Sequence, residues 1–504
     1  MIPYKKILFG ISAISLLAIT GCTTSGDDDL DLDALSGRVA PEDMGNIQTE
    51  DEFNAAWEHL NDYQKEFEWS YEILDFFYLF AHSDTLEPPG SEWYNQLGPR
   101  SSYIGKGSKY LKSRNAQALP SPIVDTYYMF MMMNDKYTTY IDPSYMSFDE
   151  VIEDMNEREP GSDLGILVRT AKSETDTALV ITQILKGSAA AIEGSLDVND
   201  TIVSMNGIEI YTATHFDLLS TGNIGDDITI TAKKNGTGEL VEVHLTIVAY
   251  TTPTVTYQII DNIAVISISE FATENTTSKR GTYGEFLEAL EATEGTDATV
   301  IDLRGNPGGD AEQCDSVSMA MLPKGSILNI QYLPKDTLLE DRQEIVIDTV
   351  IAEENGVAKD RYFVFVADSA SGSCSEYTLA SVLVNKNSPL VGQNTYGKGV
   401  GYTLMPTYLK GAAIFTVTIA YDKNHETFHM HGIEPDVHID DHYAMLDTAI
   451  AIAKEKTMTR TAGYGKNITP NYQAFSYFKK PVDFNRVPSR KELGRYKVMK
   501  KNFR

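Results

Sequence analysis

Four serines crowd the stretch "ADSASGSCSEYTLA" (residues 367–380), which follows an apolar run and precedes a predicted helix. A serine at such a turn can act as a nucleophile if a nearby base takes its proton. A purely structural alternative exists, because Ser373 and Glu376 match the capping box of a helix N-terminus. The two roles are compatible, since a capping serine keeps its hydroxyl beside the first N–H groups of the helix.

The nine histidines do not supply an obvious base for such a serine, since they lie in predicted scaffold regions or late in the chain. Lys398 is a better candidate, and it lies between two glycines in "GQNTYGKGVGYTL". Burial in an apolar cleft lowers the proton affinity of a lysine until it can act as a general base near neutral pH. A serine of the first stretch and Lys398 would therefore form a sufficient catalytic dyad.

A second loop of interest is "DLRGNPGGD", which also follows a predicted strand and precedes a predicted helix. Gly308 and Gly309 allow the backbone to approach a ligand closely, and the helix that follows contributes its positive end. Such a loop suits an anion, including one that exists only in a transition state. The alternative is an ordinary strand-to-helix turn.

A histidine cluster offers a different chemistry. In "NHETFHMHG", His429 and His431 share one face of a possible strand and His425 lies nearby. Histidines in such an arrangement can bind zinc, so a zinc-dependent hydrolase is the alternative enzyme class.

The elements that would position the serine and the glycine loop begin near Asp261. Apolar runs such as "NIAVISISEF", "TDATVIDLRG" and "DRYFVFVADS" alternate with helical segments, which predicts an α/β sheet with mainly parallel strands. Both loops then lie beyond the carboxyl ends of strands, where open α/β sheets bind their ligands.

Two regions precede this sheet. Residues 51–140 have apolar and aromatic side chains at helical spacing, which we interpret as a helical scaffold. Residues 160–250 contain short alternating strands, one helix and an Asn-Gly hairpin turn, and this order resembles a PDZ domain. The resemblance implies that the loop Leu164-Gly165-Ile166 binds the terminal carboxylate of a peptide that adds as an extra strand.

Composition restricts the partners and the compartment. The 504 residues carry a net charge of −30, which disfavours nucleic acid as a partner. A basic tail from Lys466 to Arg504 is the exception, with eleven Lys or Arg against two acidic residues. Apart from Cys22, the chain contains only Cys314 and Cys374, too few for a disulfide framework. We therefore expect stability to come from a hydrophobic core.

The N-terminus is typical of a secretory signal, with Lys5 and Lys6 ahead of an apolar run too short to cross a bilayer core of about 30 Å. Its end, Ile19-Thr20-Gly21-Cys22, resembles a bacterial lipobox and predicts a lipidated Cys22. An ordinary signal peptide is the alternative. Thr23 beside Cys22 favours the outer membrane, so we expect a lipid-anchored protein of the cell envelope.

Taken together, "DLRGNPGGD", "SASGSCSE", "GQNTYGKGVG" and "HGIEPDV" resemble the motifs of carboxyl-terminal processing peptidases, the tail-specific serine proteases of the S41 family. The likeness covers about residues 51–440. Aligned on Glu376, it selects Ser373 as nucleophile over Ser371 and Ser375, and Lys398 as the base.

The resemblance implies a serine endopeptidase that cleaves near C-termini, with an α/β, ClpP/crotonase-like core and no metal or other cofactor. Backbone N–H groups of Cys374 and of Gly308 or Gly309 would hold the oxyanion. In many members a glutamine four residues after the lysine orients it, whereas this chain has Tyr402, so the orienting role of Tyr402 is open. A catalytically inactive, lipid-anchored PDZ scaffold that binds peptides is the non-enzymatic alternative.

The sequence thus predicts a multidomain α/β protein. Its predicted segments are a lipoprotein signal peptide (1–22), an acidic flexible tether (23–50), a helical N-terminal region (51–150), a PDZ-like domain (151–250), a Ser-Lys peptidase core (251–460) and a basic C-terminal tail (461–504).

Overall fold

The computed structural model describes residues 56–81, 91–107, 123–156, 158, 160–172, 177–210, 213–334 and 345–461. The predicted signal peptide with Cys22, the acidic tether and the basic tail from Lys466 onward lie outside the described residues. Within the part of the chain described, no helix is both long and apolar enough to cross a membrane.

The N-terminal region is largely helical, as predicted. Its elements are α1 (Asp62–Phe77), α2 (Val124–Met132), β1 (Thr139–Ile141), α3 (Phe148–Asn156) and short 3-10 helices at Ser91–Trp93 and Arg100–Ser102. Asn61 caps α1 in a capping box with Gln64. Phe67, Tyr71 and Leu74 are buried at three- and four-residue spacing, so one face of α1 packs into the core.

The β-rich region that follows forms a separate sheet. Its elements are β2 (Ile166–Lys172), β3 (Thr177–Ile184), α4 (Ala189–Glu193), β4 (Thr201–Met205), β5 (Ile208–Glu209), α5 (Ala213–Ser220), β6 (Asp227–Lys233) and β7 (Leu240–Thr246). The strand order is β2-β3-β4-β6-β7, which leaves β2 at an edge. The predicted Asn-Gly hairpin joins β6 to β7. A cluster that includes Leu164, Phe216 and Ile230 forms a core of its own.

The rest of the described chain alternates strands and helices. The elements are β8 (Val255–Ile260), β9 (Ile263–Ile268), α6 (Gly281–Ala292), β10 (Ala298–Asp302), α7 (Ala311–Met321), β11 (Ile327–Pro334), β12 (Ile345–Ile351), β13 (Phe363–Ala367), α8 (Cys374–Lys386), β14 (Leu390–Gly392), β15 (Val400–Pro406), β16 (Ala412–Tyr421), β17 (Val437–His438) and α9 (His442–Thr461).

Six of these strands form the predicted α/β sheet, in the order β17-β14-β13-β10-β9-β8. All neighbours are parallel except β8 and β9. Every residue of β10 and β13 is buried, because helices cover both faces of a parallel sheet. Since β10 and β13 are adjacent and parallel, the loops that follow them meet at one edge. The predicted multidomain α/β fold is confirmed.

A second, antiparallel sheet was not foreseen from the sequence. It has the order β1-β16-β11-β12, with β15 also paired to β16. Strand β1 comes from the N-terminal region, and Thr139 lies opposite Ile414. Because Lys398 lies just ahead of β15, this sheet carries the lysine loop and joins it to the N-terminal region.

Candidate active site

Ser373 occupies the turn between β13 and α8. Its φ of 54° lies in a region that residues other than glycine rarely adopt, so the turn holds the serine in a strained conformation. The buried hydroxyls of Ser371 and Ser375 donate to the carbonyl oxygens of Leu303 and Asn306, at 2.8 and 3.0 Å. Ser373 is partly exposed, and its hydroxyl donates to no acceptor among the described residues. Of these three serines, Ser373 is therefore the one placed to react.

Glu376 joins the serine turn to the lysine loop. Its buried carboxylate accepts hydrogen bonds from the N–H groups of Ser373 (2.9 Å), Gly397 (2.6 Å) and Lys398 (2.7 Å) and from the Thr395 hydroxyl (2.5 Å). The N–H groups of Ser373 and Lys398 bind the same oxygen, Oε2. Burial raises the pKa of Glu376, and these four donors oppose the shift. The residue predicted as a helix cap thus also fixes the backbone of Lys398 beside that of Ser373.

The Lys398 side chain lies between two aromatic rings. Its Nζ is 4.1 Å from the ring centroid of Tyr402 and 5.1 Å from that of Tyr137. Burial lowers the pKa of Lys398 to about 8; the Lys136 ammonium adds to the shift, and the Asp135 and Glu376 carboxylates oppose it. At this pKa about one lysine in ten is neutral at pH 7, against about one in three thousand at the ordinary value. Lys398 can therefore accept a proton near neutral pH.

Tyr402 contacts Lys398 through the face of its ring. A contact of this kind stabilises the ammonium form by roughly 0.5 to 2 kcal/mol. Tyr402 is 38% exposed, whereas Tyr137, the other ring beside the lysine, is buried. The ring therefore restricts where Nζ can lie.

The N-terminal region contributes directly to this site, so its interpretation as scaffold was incomplete. Tyr137 follows Asp135, whose buried carboxylate accepts hydrogen bonds from the hydroxyls of Thr138 and Thr416 and from the Tyr137 N–H. Thr416 lies on β16, so Asp135 ties this segment to the antiparallel sheet. No local motif marked Tyr137 as a site residue, because its contact with Lys398 spans some 260 residues of sequence.

The glycine loop packs directly on the serine turn. A Cβ at Gly308 would lie 2.6 Å from the Ser373 Cβ and 2.9 Å from the Cys374 nitrogen, so this contact requires glycine. The Gly308 N–H already donates to the Asn306 side chain at 2.8 Å. Within the described chain, the N–H groups of Gly309 and Cys374 have no acceptor. Of the three predicted oxyanion donors, these two are therefore unoccupied, whereas Gly308 is engaged.

Cys314 and Cys374 form a disulfide, with Cα atoms 5.6 Å apart. The two cysteines do not make a framework, but they form one disulfide that was not predicted and that adds a covalent link to the hydrophobic core. Cys314 lies on α7, which follows the glycine loop, and Cys374 is the first residue of α8. The disulfide therefore links the helix that follows the glycine loop to Cys374, whose N–H is a candidate oxyanion donor.

His429 is fully buried behind the lysine loop. Its Nδ1 accepts the Gly399 N–H at 3.1 Å, and its Nε2 contacts the Tyr94 hydroxyl. Burial lowers the pKa of His429 to about 3, so the ring is neutral. A Cβ at Gly399 would lie 2.8 Å from that of His429, which explains the glycine after Lys398. Both ring nitrogens are engaged, so His429 is not placed to bind zinc.

The other predicted zinc ligands do not change this result. Among the residues that the structure describes, no group of three or more His, Cys, Asp or Glu side chains is arranged to hold a metal ion. The sequence had singled out His429 for the wrong role, because its burial against Gly399 depends on tertiary packing.

The predicted carboxylate-binding loop precedes the edge strand β2. Leu164 and Ile166 are buried, and the Gly165 N–H donates to the Asp163 carboxylate at 2.6 Å. The Tyr250 hydroxyl donates to the same Asp163 oxygen, also at 2.6 Å. Among the described residues, no strand pairs with the outer edge of β2, whereas one donor of the loop already holds an internal carboxylate.

Residues 262–439 match the family model for peptidase family S41, and residues 154–221 match the model for the PDZ domain. The carboxy-terminal processing protease CtpA of Bacillus subtilis (strain 168) is 27% identical over 368 residues, which cover 68% of this chain and 72% of the relative. The carboxy-terminal-processing protease of Bartonella bacilliformis is 24% identical and covers 60% of this chain and 67% of its own length.

Among solved structures, the photosystem II D1 C-terminal processing protease covers 76% of this chain and 94% of its own, at 17% identity and a TM-score of 0.42. A TM-score this low does not support a fold assignment by itself. The S41 model covers the part of the chain that contains the serine turn and the lysine loop, and the PDZ model covers the domain from before β2 to α5. Residues 262–439 therefore form a peptidase domain of family S41 with a PDZ domain ahead of it, and the chain is a serine-type peptidase.

Proposed function

We propose that this chain is a serine endopeptidase that cleaves proteins or peptides near their C-termini with a Ser373–Lys398 dyad. The observation that carries the proposal is the Glu376 oxygen shared by the N–H groups of Ser373 and Lys398. This oxygen holds the backbones of the two adjoining loops that carry the Ser373 hydroxyl and the Lys398 amine, and burial lowers the pKa of that amine. The names of the curated relatives support cleavage near C-termini.

In the proposed mechanism, neutral Lys398 takes the proton from Ser373 Oγ as this oxygen attacks the substrate carbonyl. The N–H groups of Gly309 and Cys374 stabilise the oxyanion of the tetrahedral intermediate. The protonated Lys398 then donates its proton to the leaving amine. Water, deprotonated by Lys398, releases the acyl group and restores Ser373. Tyr402 positions Nζ through its ring face, in place of the glutamine found in many members.

In the same proposal, the PDZ domain captures the C-terminal end of the substrate. The substrate adds as a strand to the open edge of β2, and its carboxylate approaches the loop Leu164-Gly165-Ile166. Because the Gly165 N–H binds Asp163, capture requires that Asp163 leave this donor. Asp163 thus competes with the substrate carboxylate for one hydrogen bond.

The test is cleavage of an unstructured peptide with apolar C-terminal residues, supplied with a free or an amidated C-terminus and followed by mass spectrometry. We expect the full-length chain to cleave the free-acid peptide about 10 to 100 times faster, because charge-assisted hydrogen bonds are worth roughly 1.5 to 3 kcal/mol. An Asp163→Asn variant is the matched control. It is expected to cleave the free acid severalfold faster than the parent, because a competing negative charge is removed.

Equal rates for the two peptides, in the parent and in the variant, would contradict capture through the carboxylate. Binding of the free acid without cleavage would instead support the peptide-binding scaffold, the alternative suggested by Tyr402 in place of glutamine.

We further propose that a lipid on Cys22 anchors the protein in the cell envelope, at the outer membrane. The support is the lipobox-like end of the signal segment and Thr23 after the cysteine. A Cys22→Ser variant is expected to move from the membrane fraction to the soluble fraction on cell fractionation, because one side chain carries the anchor. Retention of that variant with the membranes would contradict this proposal.

A further inference from the structure

A second lysine lies at the candidate active site. Lys136 Nζ is 4.8 Å from the ring centroid of Tyr137, the ring that also flanks Lys398 at 5.1 Å. Lys136 Nζ is also 4.7 Å from the ring of Tyr396, which packs against Gly372 in the serine turn. The side-chain nitrogens of Lys136 and Lys398 therefore both lie beside the Tyr137 ring, and Lys136 also lies beside a ring that packs against the serine turn.

The backbone that carries Lys136 is firmly held, although the side chain itself is exposed. Its neighbour Asp135 is buried and bound by two threonine hydroxyls and a backbone N–H. Three residues further on, β1 pairs with β16 of the antiparallel sheet. The position of Lys136 relative to the lysine loop is thus fixed by tertiary structure.

Among the described residues, neither lysine has a counter-ion in direct contact. In the described part of the chain, no carboxylate forms an ion pair with Lys136 or Lys398. The nearby carboxylates of Asp135 and Glu376 are occupied by hydrogen bonds from hydroxyl and N–H groups. The groups that face Lys398 are the side chains of Asp135, Glu376 and Lys136, the neutral His429 with His431 beside it, and the rings of Tyr137 and Tyr402. Burial also lowers the pKa of Lys136, and the Asp135 and Glu376 carboxylates oppose that shift.

We propose that the Lys136 ammonium increases the neutral, proton-accepting fraction of Lys398 by charge repulsion across the shared Tyr137 ring. The inference rests on the proposed role of Lys398 as general base and adds to it a residue that acts through Lys398 without touching the reacting atoms. A neighbouring cation favours the neutral form of a lysine, and this is a recognised way to activate such a base. It offsets the contacts with Tyr137 and Tyr402, which favour the ammonium form.

The test compares Lys136→Met with the matched control Lys136→Arg in the full-length chain, through the pH dependence of kcat/KM. Loss of the charge should move the acidic limb of the profile to higher pH by about 0.5 to 1 unit, a 3- to 10-fold loss at pH 7. At pH values well above the limb the two variants and the parent should have equal activity. Lys136→Arg keeps the charge and is expected to keep the parental profile.

A second measurement does not depend on protease activity. In a Ser373→Ala background, the rate at which an amine-acylating reagent modifies Lys398 is followed against pH by mass spectrometry. Adding Lys136→Met should shift this titration to higher pH by the same amount, whereas Lys136→Arg should not. An unshifted titration would overturn the role of Lys136, even if the proposed dyad were wrong.

The remaining outcomes separate the two proposals. A rise in KM at every pH, with an unmoved acidic limb, would make Lys136 a substrate contact and overturn the inference. An acylation titration that shifts while Ser373→Ala remains fully active would support the effect on Lys398 and contradict the dyad. Circular dichroism of each variant checks the fold, which the exposed position of Lys136 should leave intact.

Discussion

Replacing Ser373 with alanine, or Lys398 with arginine, is expected to lower kcat/KM by at least about 10⁴-fold, or about 5.5 kcal/mol of transition-state stabilisation. The serine variant lacks the attacking oxygen. The arginine variant keeps the positive charge, but its guanidinium does not give up a proton in proteins and so cannot act as a base. The measurement is steady-state cleavage of the free-acid peptide by the full-length chain and the two variants.

The pH dependence of the parent follows from the same assignment. A general base works in its deprotonated form, and burial lowers the pKa of Lys398 to about 8. Activity should therefore rise about tenfold per pH unit below pH 8 and level off above it. A profile that is flat from acidic to alkaline pH would exclude Lys398 as the base.

The substitution of Ser373 has its own contradicting outcome. If the Ser373→Ala variant keeps more than about a hundredth of the parental rate, the nucleophile lies elsewhere.

Reduction of the Cys314–Cys374 disulfide is expected to lower the free energy of unfolding by about 2 to 4 kcal/mol. The bond spans 60 residues, and closing a loop of that length restricts the unfolded chain by about 4 kcal/mol in the chain-entropy estimate. For a domain of the size of the peptidase core (residues 251–460), this loss of unfolding free energy lowers Tm by about 5 to 15 °C. Thermal unfolding with and without a thiol reductant measures the effect.

Single and double cysteine variants provide the control. In a Cys22→Ser background, Cys314→Ala, Cys374→Ala and the double variant should all have the same lowered Tm, because each removes the same bond. The reductant should not change the Tm of any of them. Two titratable thiols in the unreduced, unfolded Cys22→Ser protein would contradict the disulfide. We expect these substitutions to change kcat little, because the backbone N–H of residue 374, a candidate oxyanion donor, remains after substitution.

Much of the fold followed from local patterns. The continuous apolar runs "NIAVISISEF", "TDATVIDLRG" and "DRYFVFVADS" predicted buried parallel strands, and they contain β9, β10 and β13. These patterns are informative because the burial of a strand or a helix produces a characteristic pattern of apolar residues close together in the sequence. The antiparallel sheet was missed because its pairings, such as Thr139 with Ile414, join residues far apart in the chain.

The sequence by itself determined the serine turn, the glycine loop and the loop of Lys398, since each is a short motif whose residue types indicate its chemistry. It also supplied Glu376, although as a helix cap. Only the tertiary structure decided what surrounds Lys398: the rings of Tyr137 and Tyr402, the neutral His429 behind Gly399, and the second ammonium of Lys136.

The physical reason is that the proton affinity of a side chain depends on burial and on nearby charges, which come from distant parts of the chain. The disulfide between Cys314 and Cys374 was also decided by the tertiary structure, because the bond forms only where two cysteines meet in space. The sequence therefore identified the groups that we propose to react, and the fold decided their protonation and their placement.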